Sequence, residues 1–265
     1  MKEVIVSKDN KYIKLARNLA KKKIRTKENL FVVEGVRNCY EALAANVNIS
    51  FLLVKESKYN NPDITKLLTA AEEKNLRVMV AEDVVFNSAV STEESQGIII
   101  VAEIKAYTDD EFWTVVNGRQ ITVLDGLQDP GNVGTILRTA WAAGIGGVLL
   151  VNNAADLYNP KVVRSAMGAI YNVPFLRAGN DDAVKMLAEQ GYTLAVADAD
   201  GEDYRKFNSI GKKVAWLLGN EGNGVSDFWR NQADVTISIP MAKGVESLNV
   251  AIAAGILFFS GADLA

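Results

Sequence analysis

The sequence predicts an α/β fold in two parts. Short apolar runs alternate with helical segments along most of the chain. In the second half the runs are continuously apolar, as strands buried on both faces of a parallel sheet are. The composition is globular, 49% hydrophobic and 23% charged, and 265 residues suffice for two modest domains.

Taken in order, Asp9 or Asn10 caps a helix whose inward face is Ile13, Ala16, Leu19 and Ala20. Residues 30–35 read as a strand, 36–45 as a helix, 49–56 as a strand and 63–74 as a helix. A strand at 76–81, a short helix at 82–90 and a strand at 97–104 complete a first α/β domain, 1–104. Residues 105–118 have mixed polarity and no clean period, and are expected to be a linker. A second domain spans 119–265. Its strands are expected at 120–125, 147–152, 173–177, 193–198, 213–218 and 234–239, with helices near 130–143, 160–171, 181–190 and 247–260. Ligands of open α/β sheets sit beyond the carboxyl ends of strands, which points to the loops after 125, 198, 219 and 239.

The chain has no histidine. That excludes Ser-His-Asp and Cys-His catalysis, histidine-ligated zinc and an imidazole base. Its single cysteine, Cys39, allows neither an internal disulfide nor a Cys-pair metal site, and no metal is expected. The longest apolar run, 250–259, is shorter than the roughly 20 residues of a bilayer span. The start MKEVIVSKDNK lacks an apolar signal core. A cytoplasmic protein that does not engage membranes is expected.

Net charge is −3, unevenly divided. Residues 1–30 hold ten Lys or Arg against three acids, a local +7 on a body of −10. Lys11, Lys14, Arg17, Lys21, Lys22, Lys23 and Arg25 belong to this stretch. Such asymmetry fits a polyanion partner, or simply a solvated helix face. The segment has no Trp or Phe membrane anchor, so RNA or DNA is the anion it suits.

The fingerprints G-x-G-x-x-G and G-x-x-x-x-G-K-[ST] are both absent. Three other loops stand out. In LDGLQDPGNVGTILRTAWAAG (124–144), Asp129 can cap a helix with Pro130 in its first position. Arg138 shares a helix face with Gly134 and Trp141. The segment suits phosphate binding, or an ordinary capped helix with a surface arginine. In LLGNEGNGVSD (217–227), Gly219, Gly222 and Gly224 follow a strand and surround Glu221, as a ligand loop or a turn would. In ISIPMAKGVESLNVAIAAG (237–255), Pro240 ends a strand, and Ser247 caps an apolar helix that needs a core or a partner to cover it.

Together the three segments resemble the SpoU/TrmH family of RNA 2'-O-ribose methyltransferases, of the SPOUT superfamily. The resemblance rests on N-x-G-x-I-x-R (Asn132, Gly134, Ile136, Arg138), on GNEGNG at 219–224, and on IPM at 239–241 followed by SLNV at 247–250. SKDNKYIKLARNLAKKK leading to FVVEG also resembles the family's ribosomal-protein-like substrate-binding domain. One departure is Ala251, where the family often has Ser.

The resemblance implies a C-terminal SPOUT-type parallel sheet with a deep trefoil knot, and a homodimer with its active site at the subunit interface. It implies S-adenosylmethionine as cofactor, touched by Gly219, Ile239 and Leu248 with neighbours Leu218 and Met241. It also implies a catalytic set. Arg138 grips the target phosphate and stabilises the developing alkoxide, since a guanidinium is a poor proton acceptor. Glu221 orients Arg138 or accepts the proton, while Asn132, Ser247 and Asn249 position ribose and loops. Only RNA offers a 2'-hydroxyl. Large-subunit rRNA is the expected substrate, with tRNA second. The alternatives are a non-catalytic RNA-binding protein and a Rossmann-type enzyme with Asp198 as ribose ligand.

Overall fold

The structure, a computed structural model, describes residues 3–45, 47–92, 95–207 and 213–260. The chain forms two compact units. The first is Met1–Lys105 with Asp156–Tyr171, and the second is Ala106–Ala155 with Asn172–Ala265.

Unit one is built on five strands: β1 (Val4–Ile5), β2 (Leu30–Glu34), β3 (Ile49–Lys55), β4 (Val78–Ala81) and β5 (Ile98–Glu103). Their order is β1-β4-β3-β5-β2. β1, β4 and β3 run parallel, while β5 is antiparallel to both β3 and β2. Its helices are α1 (Lys11–Asn18), α2 (Lys22–Glu28), α3 (Val36–Ala44), α4 (Pro62–Glu73) and α5 (Asp83–Asn87). β1 is too short for its two residues to show a period.

The single basic helix expected at the N-terminus is two helices. Asn10 caps α1, accepting from the Tyr12 N–H at 2.9 Å. Ile13, Ala16 and Leu19 reach the core beside Phe51, Leu53 and Phe86. Lys21 is extended at φ −89° and ψ 125°, so α2 starts anew and Ala20 is exposed.

Arg25 is also corrected: it does not face solvent as an RNA contact would, being only 3% exposed. Its guanidinium donates to the Leu19 and Ala20 carbonyls at 2.8 Å each and pairs with Asp156 at 2.6 Å. Asp156 lies 131 residues away in sequence, so local pattern could not reveal this partner. Removing one partner of a buried pair strands the other charge. Arg25→Met is therefore expected to destabilise unit one by about 2–3 kcal/mol. An earlier unfolding transition in a thermal scan would show it.

The segment 156–171, expected to belong to the second domain, packs in unit one. It breaks into α8 (Pro160–Ala166) and α9 (Ala169–Asn172), because Met167 turns left-handed at φ 47°. Arg164 of α8 reaches the buried Glu34 carboxylate at 3.4 Å, which also accepts from Ser91 and Thr92. Phe31 packs on Tyr158 with ring centroids 4.6 Å apart.

Unit two is a six-stranded, all-parallel sheet. Its strands are β6 (Ile121–Asp125), β7 (Gly147–Val151), β8 (Phe175–Arg177), β9 (Thr193–Asp203), β10 (Val214–Leu218) and β11 (Val235–Ser238), in the order β11-β9-β10-β6-β7-β8. Its remaining helices are α6 (Asp109–Val116), α7 (Pro130–Ala142), α10 (Asn180–Glu189), α11 (Asp227–Asn231) and α12 (Val250–Ser260). β9 outruns its expected end because it resumes pairing with β11 after a bulge.

The expected linker 105–118 instead holds α6. Thr108 and Glu111 form a capping box, and Phe112 and Val116 are fully buried one turn apart. One buried turn is too little for a visible period, but T-x-x-E at 108–111 is a readable start signal. Among the described residues no helix is long and apolar enough to cross a membrane.

Candidate active site

The site is assembled by the loops after β6, β10 and β11, together with residues 197–199 within β9. After β6, Asp129 caps α7 by accepting from the Asn132 N–H at 2.8 Å, with Pro130 in the first turn. This sets Asn132 at the start of the helix. Asp125, buried at the strand end, accepts from the Asn152 side chain at 2.5 Å and the Ser226 N–H at 2.8 Å.

After β10 the chain folds back on itself. Asn220 and Gly224 exchange backbone hydrogen bonds at 2.9 Å each, with Gly224 left-handed at φ +67°. At Gly219 a Cβ would overlap the Gly224 carbonyl carbon and the Val225 nitrogen. Only glycine fits there. The Asn220 side chain donates to the Gly126 carbonyl at 2.8 Å, tying this loop to the one after β6.

Glu221 sits against the start of α7. Its carboxylate accepts from the Asp129 N–H at 3.2 Å, the Gln128 N–H at 3.4 Å and the Asn132 amide at 3.2 Å. A carboxylate is favoured at a helix N-terminus, where free N–H groups and the dipole are positive. Asn132 Oδ1 in turn accepts from the Asn249 amide at 2.9 Å. Glu221, Asn132 and Asn249 thus form one hydrogen-bonded row drawn from three loops.

The cap of α12 is a correction. The helix starts at Val250, and Asn249 caps it by accepting from the Ala251 N–H at 2.9 Å. Ser247, the expected cap, is exposed in the preceding irregular segment. Both residue types cap well, so sequence alone chose between them poorly.

These loops enclose a cavity of about 610 Å³. Leu218, Gly219, Ile239, Met241 and Leu248 line it, together with Asn132, Glu221, Ser247 and Asn249. Asp198 and Arg230 line it too, paired at 2.9 Å. Arg230 has no counterpart in the sequence motifs and was missed. Its only signal was a lone cation in short helix α11, just after the glycine loop.

Arg138 does not line the cavity. It lies exposed in the middle of α7 and makes no hydrogen bond or ion pair among the described residues. The expected contact with Glu221 is absent, because the Glu221 carboxylate is taken up by the first turn of the same helix. Nearby, Trp141, Ile252 and Phe259 are 40%, 56% and 48% exposed on α7 and α12.

On unit one, Lys11, Lys14, Arg17, Lys21, Lys22 and Lys23 are exposed. Lys14 pairs with Asp9 at 2.9 Å, and hydrogen bonding to this ammonium holds the Asp9 carboxyl below its ordinary value. Among the described residues no group of His, Cys, Asp and Glu is arranged to hold a metal ion.

A parallel α/β unit with an apolar and acidic cavity at its strand ends is built to hold a small cationic or nucleoside-like ligand. Residues 119–259 match the SpoU rRNA Methylase family, and residues 10–100 match the MRM3-like substrate binding domain. The chain belongs to the SpoU rRNA methylase family. It is 33% identical over 260 residues to the 23S rRNA (guanosine(2553)-2'-O)-methyltransferase RlmP of Bacillus subtilis (strain 168), covering 98% of each chain. It is 30% identical to the 23S rRNA (guanosine-2'-O-)-methyltransferase RlmB of Neisseria meningitidis serogroup B, over 78% of this chain and 84% of that one. Among solved structures, the AdoMet-bound rRNA methyltransferase from Sinorhizobium meliloti superimposes with a TM-score of 0.84 at 28% identity. That match covers 97% of this chain and 96% of the other.

Proposed function

We propose that the chain transfers a methyl group from S-adenosylmethionine to a ribose 2'-oxygen of 23S rRNA, acting as a homodimer. The observation that carries the reading is the single cavity shared by Leu218, Gly219, Ile239, Met241 and Leu248 with Asn132, Glu221, Ser247 and Asn249. Its volume suits a nucleoside-sized cofactor. Its apolar wall suits an adenine, and its acidic groups suit a cation. The 23S rRNA activities of the RlmP and RlmB relatives favour rRNA over tRNA.

When bound, the cofactor supplies an electrophilic methyl on a sulfonium whose thioether leaves neutral, so no acid is needed for departure. The residues must then hold the 2'-oxygen in line and stabilise it as it loses its proton. Asn132 and Asn249 line the cavity with amides hydrogen-bonded to each other, Asn132 being held in turn by Glu221. Ser247 offers a hydroxyl beside them. Glu221 acts through the α7 start and Asn132 rather than on Arg138.

Arg138 grips the target phosphate and stabilises the developing alkoxide from a second protomer. Exposed Trp141, Ile252 and Phe259 favour a subunit interface on the α7 and α12 face, where Arg138 lies. An arginine remote from its own cavity then serves the cavity of the other copy. The reading includes a deep trefoil knot in the unit-two backbone. The match of residues 119–259 to the SpoU family supports it.

The test is methyl transfer from labelled cofactor to rRNA from cells lacking this protein. Label that resists alkaline cleavage at one 23S position is the expected result. Label confined to tRNA, or found on a base, overturns the reading. Unit one supplies salt-sensitive affinity for RNA through Lys11, Lys14, Arg17, Lys21, Lys22 and Lys23. Replacing Lys21, Lys22 and Lys23 by Gln is expected to lower the slope of log affinity against log salt by roughly 2. Filter binding across a salt series measures it, and an unchanged slope removes these lysines from the interface.

A further inference from the structure

We infer that Arg230 is the residue that binds the carboxylate of the cofactor's amino-acid end, with Asp198 holding its guanidinium and facing the ammonium of the same end. The inference rests on the cofactor reading above. Charge matching carries it. Among the described residues the cavity is lined by three acids, Asp198, Glu221 and Glu246, and by one cation, Arg230. S-adenosylmethionine carries two positive groups, the sulfonium and the ammonium, and one negative group, the carboxylate. The single anionic group of the ligand therefore meets a single cationic side chain, and the net charges of ligand and cavity are opposite.

Geometry fixes Arg230 for this task. Its Nε donates to the Val225 carbonyl at 3.0 Å, and its Nη2 pairs with Asp198 Oδ2 at 2.9 Å. Nη2 also lies close against Gly224 of the glycine loop. The Asp198 carboxylate is itself held, its Oδ1 accepting from the Asp200 N–H at 3.2 Å. The guanidinium is thus anchored on one edge, yet its side chain remains 46% exposed. A planar fork held this way keeps donors for a carboxylate, and charge-assisted bonds of this kind are roughly twice as strong as neutral ones. The position also makes sense of the partition of the cavity. Glu221, Asn132 and Asn249 form one polar group, tied together by hydrogen bonds. Asp198 and Arg230 form a second one, on β9 and α11, with the apolar residues left for adenine.

The test compares two ligands by calorimetry. S-adenosylhomocysteine keeps the amino-acid end, whereas 5'-methylthioadenosine lacks it. Arg230→Gln is expected to weaken S-adenosylhomocysteine about tenfold and to leave 5'-methylthioadenosine within twofold. Asp198→Asn is expected to show the same selectivity with a smaller loss. Unchanged S-adenosylhomocysteine binding in Arg230→Gln overturns the inference. Equal weakening of both ligands also overturns it, because Arg230 would then only shape the loop through Val225. If the unaltered protein binds neither ligand, the cofactor reading itself falls and this inference with it.

Discussion

Arg138→Ala is expected to slow methyl transfer by about a hundredfold or more while leaving cofactor affinity within twofold. Loss of one preorganised donor to a developing oxyanion has effects of that size. The split between rate and affinity follows from position. Arg138 stands on α7 outside the cavity lined by the loops after β6, β10 and β11, so its removal leaves that cavity intact. Single-turnover transfer measures the first quantity, and calorimetry with S-adenosylhomocysteine the second. A fall in affinity matching the fall in rate would place Arg138 in the cofactor site instead.

Gly219→Ala is expected to act in the opposite sense, weakening cofactor binding about tenfold or more. The added methyl has no free volume, since backbone atoms of Gly224 and Val225 already occupy its place. The loop must open, and the paired hydrogen bonds between Asn220 and Gly224 must break with it. Cofactor affinity unchanged in this variant would mean the loop is not part of the site. The two variants also test the dimer. In a two-fold assembly whose sites each draw Arg138 from one copy and the cavity from the other, co-expressed Arg138→Ala and Gly219→Ala chains regain roughly a quarter of full activity. Activity no higher than that of the separate variants would place Arg138 within its own protomer.

Much of this architecture is legible in the sequence because it is local. Continuous apolar runs such as 147–151 and 214–218 mark strands buried on both faces, and Asp129 followed by Pro130 marks a helix start. The loops after β6, β10 and β11 follow from the sheet type and line the cavity, whereas the loop expected after 198 is not one, since Asp198 lines the cavity from within the longer β9. What escapes is decided at long range. Nothing near Arg25 announces that its partner is Asp156. Nothing near 156–171 says that it completes the first sheet's core rather than the second's. Helix α6 shows only one buried turn, and α11 only a single fully buried Trp229. Arg230 was invisible because its meaning comes from Asp198, thirty-two residues earlier in the chain and adjacent in space.

The chain passes from unit one to unit two and back before finishing unit two. During synthesis residues 1–105 emerge before the segment that supplies Asp156 and Arg164. Until residue 171 has left the ribosome, Arg25 has no counter-ion, Glu34 lacks its arginine and Phe31 has no Tyr158 to cover it. Unit one therefore cannot mature ahead of unit two in simple order of translation. Its completion waits for a stretch of chain that is made after the first two strands of the second sheet, so the two units ripen together rather than in succession.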